Sequence, residues 1–237
     1  VGRQVVAGQH REGRKPRRPT QRQRPHQIAR RAARGVGLAQ VVQDIGMRVI
    51  EPPGGRSVAI ALFGDGQRDD TDIGPGHARH HIVIFDARSR CFFTGDTFGL
   101  SYREFDTAHG AFVIPTTTPV QFEPEALVRS IRRMQGFDPV GMYLTHFGRV
   151  DGVPKLAEDL VSQIEAMVAI GQAAHAAASS PTDRHARIVA ALAALYLERA
   201  QAHGCAMSPQ QVHALLAMDV ELNAQGLGVW LDRAGKA

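Results

Sequence analysis

Cysteine is scarce in this chain: Cys91 and Cys205 are the only two in 237 residues, far apart and with no CxxC spacing. Cys91 opens an apolar run and Cys205 follows a glycine, so both read as reduced thiols, which is the usage of a cytoplasmic protein. No apolar run approaches the roughly 20 residues that cross a bilayer, and no membrane partner is expected. An apolar h-region is missing from the polar, arginine-rich first residues, so a secretory signal has no support. Acidic residues are nearly absent there too: in residues 1–34, ten Arg and one Lys face the single Glu12. The net charge of +5 therefore belongs to one end, and the rest of the chain is net acidic.

That basic end has Arg, Gln, Pro and Gly where a core would need apolar side chains. Three readings stand side by side. The first is a disordered, solvated tail, because so little apolar surface cannot offset the entropy of ordering. The second is a nucleic-acid arm whose arginines neutralise phosphates, although no aromatics are interleaved for base stacking. In the third, residues 1–72 are GC-rich coding DNA translated in a wrong frame, and Val1 in place of methionine agrees with a fragment. Within that segment, Val36, Leu38, Val41, Val42, Ile45 and Val49 fit a short amphipathic helix, and Val58 to Phe63 reads as a buried strand.

What is present begins at Gly74. The stretch GPGHARHHIVIFDARSRCFFTGDTFG carries His77 at a glycine turn, two short apolar runs, and Asp96 at a second glycine turn. A third run, Val140 to Leu144, ends at His146. Ile82 to Phe85 and Cys91 to Thr94 predict a hairpin joined by Asp86 to Arg90, which sets His77 before the first strand and Asp96 after the second. Imidazole and carboxylate together suit zinc, iron or manganese, and loop ends at the rim of a sheet are where such ligands converge. His80 and His81 form H-x-x-H-H with His77; on an extended path they turn to opposite faces, which favours rim positions or supporting hydrogen bonds over ligation.

Pro75-Gly76-His77, Phe93-Thr94-Gly95-Asp96 and Leu144-Thr145-His146 resemble, in order and spacing, the last three metal-binding motifs of the metallo-β-lactamase superfamily of hydrolases. The resemblance is close over residues 73 to 152. It implies that His77 binds a first metal, that Asp96 bridges two, and that His146 binds the second. It further implies one or two Zn2+ ions, with Fe or Mn as substitutes, and hydrolysis of a small-molecule ester, thioester, lactam or phosphoester. The family's upstream His-x-His-x-Asp-His motif is absent: the only histidines before Gly74 are His10 and His26.

After Asp96 comes a long glycine- and proline-punctuated loop, of the kind that is usually functional. Tyr102, Phe105 and Phe112 are candidates to wall a substrate cleft or to pin the loop to the core. Asp106 and His109 form a candidate catalytic pair. Glu123 to Gln135 predicts a helix, with acids at its start, Arg132 and Arg133 at its end, and a stripe of Ala126, Leu127, Ile131 and Met134. Gly136 should stop it. Beyond Asp151, Leu156, Leu160, Ile164 and Val168 open a helical region that continues through Ile188, Leu192, Leu195 and Tyr196 and then Val212, Leu215, Leu216 and Val220. Pro181 and Ser208-Pro209 mark its breaks, Ser208 as an N-cap. His175, His185, His203 and His213 read as surface histidines without a partner carboxylate at ligand spacing.

These readings combine into an α/β chain: a metallo-β-lactamase-like αββα sandwich, incomplete in its N-terminal half, with a C-terminal helical extension. The divisions are 1–72 for the basic segment, 73–174 for the sandwich half and 175–237 for the extension, whose helices could cover the site or form a homodimer contact. The function expected is a metal-dependent hydrolase, weakened in this chain by the missing motif. The alternative is a non-catalytic remnant or binding protein with an arginine-rich nucleic-acid arm.

Overall fold

The computed structural model describes residues 83–117 and 122–235. His77, His80, His81 and the expectations for residues 1–72 lie outside them. Four short strands form one sheet in the order β1-β2-β3-β4: β1 Ile84–Asp86, β2 Cys91–Gly95, β3 Gly141–Leu144 and β4 Gly148–Val150. The predicted hairpin is present, with β1 antiparallel to β2 and Phe85 opposite Phe92. Its turn is closed by the Asp86 carboxylate, which accepts from the Arg88 and Ser89 amides at 3.0 and 3.3 Å and from the Ser89 hydroxyl at 2.6 Å. β2 then runs parallel to β3, and β4 returns antiparallel along it.

Side chains alternate across these strands, so each strand splits its residues between two faces. Phe85, Phe92, Met142 and Val150 point to the buried face and enter the core shared with the helices. Phe93 and Tyr143 stand on the opposite face, 48% and 36% exposed, with their rings stacked 4.8 Å apart.

The connection from β2 to β3 contains α1, Pro124–Gln135. Proline in its first turn, Glu125 near its positive end and Arg132 and Arg133 in its last turn all favour a helix here. Ala126, Leu127, Ile131 and Met134 are buried along one stripe, as their spacing predicts. Gly136 caps the helix, but in a right-handed conformation with φ −61°. The left-handed residue is Asp138, φ +53°, and its carbonyl and carboxylate accept from Arg90 at 2.5 and 2.7 Å. The helix thus stops at Gly136, and the left-handed turn that follows is joined to the β1–β2 turn.

Three long helices complete the described chain: α2 Val153–Ala177, α3 Pro181–Ala202 and α4 Pro209–Ala234. Leu156, Leu160 and Ile164 of α2, Ile188, Leu192 and Tyr196 of α3, and Val212, Leu216 and Val220 of α4 are buried in one cluster with the sheet. Ser208 is the expected N-cap, in a reciprocal capping box with Gln211 and with Pro209 opening the helix. Among the described residues, no helix is long and apolar enough to cross a membrane. Both cysteines are free thiols.

The histidine reading needs correction at two positions. His203 is buried, 8% exposed, and its Nε2 lies 3.0 Å from the Gly110 carbonyl, because the Thr107–Gly110 turn folds onto the end of α3. His185 is half-buried and does have a carboxylate partner, Glu221 Oε2 at 3.1 Å, supplied by the neighbouring helix. His175 and His213 are exposed, as expected.

Candidate metal centre

Because β2 and β3 are parallel and Gly95 is paired with Leu144, both strands end at the same edge of the sheet. In open α/β sheets, the carboxyl ends of parallel strands are where ligand sites form. A register irregularity between Phe93 and Gly95 finishes β2, and Gly95 turns out of it with φ +52°. The buried Thr94 hydroxyl ties this corner together, reaching the Gly95 and Tyr143 carbonyls at 3.0 and 3.3 Å. Across the strands, the Thr145 amide donates to the Gly95 carbonyl at 3.4 Å. Asp96 and His146 are therefore delivered side by side.

The separation of Asp96 Oδ1 from His146 Nε2 is 3.7 Å. That is too long for a good hydrogen bond. Two ligands of a tetrahedral zinc, each about 2.1 Å from the ion, stand roughly 3.4 Å apart, so a carboxylate and an imidazole in this position suit one divalent ion. Asp96 is 23% exposed and His146 is 54% exposed, which leaves the imidazole side open to solvent. Among the described residues, no group of three or more His, Cys, Asp and Glu side chains is arranged to hold a metal. The structure brings together Asp96 and His146; His77 lies outside the described residues.

The Asp96 turn depends on Gly99. Its φ is +70°, and a Cβ there would sit 2.3 Å from the Ile114 carbonyl oxygen, where the backbones of Leu100 and Ile114 pair. Of the three loop aromatics, Phe105 and Phe112 are buried with their rings 5.1 Å apart and pin the loop to the core. Tyr102 alone of the three reaches the site: its ring lies 4.2 Å from that of Phe147, the residue after His146. The candidate pair Asp106 and His109 is not brought together as a dyad. Asp106 pairs with Arg103 at 3.3 Å, and the His109 ring faces His203. Both line a cavity of about 400 Å³ with Arg149 and Lys155 beside the start of α2, and neither Asp96 nor His146 belongs to its wall.

One residue at this edge was not foreseen. Asp219 of α4 accepts from the Tyr102 hydroxyl at 2.8 Å. Burial pushes the Asp219 carboxyl above its ordinary range, while the Tyr102 hydrogen bond and the charge of His146 pull it back. The Tyr102 hydroxyl is pushed up to about 12, by burial first and then by its bond to Asp219. No sequence signal marks Asp219, because it is 117 positions from its partner and flanks an ordinary apolar stripe.

No family model and no curated protein matches the chain. Solved structures are similar to it, two of them informative about length. Both are metallo-β-lactamase proteins. One is an archaeal superfamily protein from Sulfolobus tokodaii, 21% identical, with 77% of this chain and 49% of that one covered and a TM-score of 0.41. The other is a metallo-β-lactamase family protein from Thermus thermophilus, 14% identical, with 90% and 64% covered and a TM-score of 0.43. The chain thus spans about half of the length of the first protein and just under two thirds of the second.

Proposed function

We propose that this chain carries the C-terminal part of a metallo-hydrolase site, acting on a small-molecule ester, thioester, lactam or phosphoester. The observation that supports this most directly is the pairing of Asp96 with His146, 3.7 Å apart at the ends of adjacent parallel strands. Those two residues would hold zinc, and the resemblance adds His77 as a further metal ligand. When bound, the ion supplies Lewis-acid polarisation of a carbonyl or phosphoryl oxygen and a more acidic water. Asp96, held by the β2 corner, brings negative charge from the better-buried side. His146, at the solvent side, is the ligand that a substrate would approach. Tyr102 and Phe147 wall that approach with aromatic surface.

The sequence has no His-x-His-x-Asp-His motif, so the chain by itself should bind about one zinc per molecule and turn substrates over slowly. Metal analysis after dialysis, with a panel of thioester, lactone, β-lactam and phosphodiester substrates, tests this. Asp96→Asn and His146→Ala should each weaken zinc binding by at least about tenfold. Zinc retention unchanged in both variants would remove the basis of the proposal.

A further inference from the structure

His146 sits in the turn between β3 and β4, and that turn is conformationally demanding. Phe147 has φ +72° and is followed by Gly148 at φ +90°. The left-handed region is disfavoured for a residue with a Cβ, and the Phe147 side chain is 45% exposed, so core burial does little to hold it. The ring packed most closely on it is that of Tyr102, 4.2 Å away and tilted by 32°.

Tyr102 is itself a fixed post. The Ser101 hydroxyl beside it donates to the Phe112 carbonyl at 2.7 Å, and Leu100 and Ile114 exchange backbone hydrogen bonds at 3.0 Å. Its hydroxyl is directed at Asp219 Oδ2, 2.8 Å away on α4. Asp219 lies one turn before Asn223, which is 1% exposed and bonded to Pro115, Thr117 and Tyr196. The carboxylate is therefore carried on a part of α4 already locked to the loop that follows Asp96.

We infer that Asp219 is a positioning residue for His146: through Tyr102 and Phe147, the C-terminal helix holds the left-handed turn that aims the imidazole at Asp96. The consequence for metal binding rests on the zinc reading above; the consequence for the turn does not. The test uses the full chain, first without metal and then with zinc alone. By NMR, Asp219→Ala and Tyr102→Phe should lose or weaken the contact between the rings at positions 102 and 147. Asp219→Asn, which keeps an oxygen to accept the hydroxyl, should preserve it. With zinc, the first two variants should bind about tenfold more weakly, at melting temperatures close to the parent, and Asp219→Asn should bind as the parent does. An intact ring contact in Asp219→Ala overturns the inference, as does equal damage in Asp219→Asn and Asp219→Ala. If the parent takes up no zinc, the metal reading fails, and the ring contact decides the positioning role independently.

Discussion

Tyr102 has a titration that its environment makes visible. Its hydroxyl is raised from 10.0 to about 12 in the folded chain. A group whose pKa is higher folded than unfolded contributes stability that is complete below the unfolded value and lost as pH rises through the folded one. The window is therefore pH 10 to about 12. Thermal midpoints measured across that range should fall more steeply for the parent than for Tyr102→Phe, because the phenylalanine has no proton to lose. Parallel curves would show that the burial of this hydroxyl and its bond to Asp219 do not hold it in solution. Gly99 gives a second test at this scale. Gly99→Ala combines a disfavoured φ with a Cβ set against the Ile114 carbonyl, and it should lower stability by about 2–4 kcal/mol in a denaturant titration.

At the scale of elements, the loop from Asp96 to Thr117 is held from behind by helices. Gln163 of α2 donates to the Val113 carbonyl at 2.9 Å. Asn223 of α4 donates to the Pro115 carbonyl at 2.9 Å and accepts from the Thr117 amide at 2.8 Å. Asn223→Ala leaves these buried groups without that partner, which should cost about 2–4 kcal/mol and lower the denaturation midpoint. A change under about 0.5 kcal/mol would show that the clamp is dispensable. Much of the element pattern was legible in the sequence. The two apolar runs around Asp86–Arg90 gave the hairpin, acids and arginines at opposite ends gave α1, and spacing by four gave the long helices. The clamp was not legible, because Asn223 looks polar on a helix until the loop that satisfies it is in place. His203 was misread for the same reason: its partner is the Gly110 carbonyl, 93 positions away. Asp96 and His146 were legible as a motif, yet their adjacency follows from the parallel pairing of β2 with β3, which no local pattern encodes.

For the whole molecule, sheet, loop and long helices share a continuous buried cluster that runs from Val83 to Leu231. The helical region is consequently part of the support of the candidate metal edge. Tyr102 meets Asp219, Thr107 donates to the His203 carbonyl at 3.0 Å, and Arg233 reaches the Phe122 carbonyl at 2.5 Å. Each of these links joins the segment between β2 and α1 to the last two helices.

Asn223 has a consequence for anyone recombining this chain with a similar one. A graft that exchanges α4 while keeping the original residues 113–117 would set a foreign side chain against amide and carbonyl groups shaped to one asparagine. Loop and helix are in effect a matched set, and a crossover point that separates them should yield chimeras that express poorly however well their strands agree.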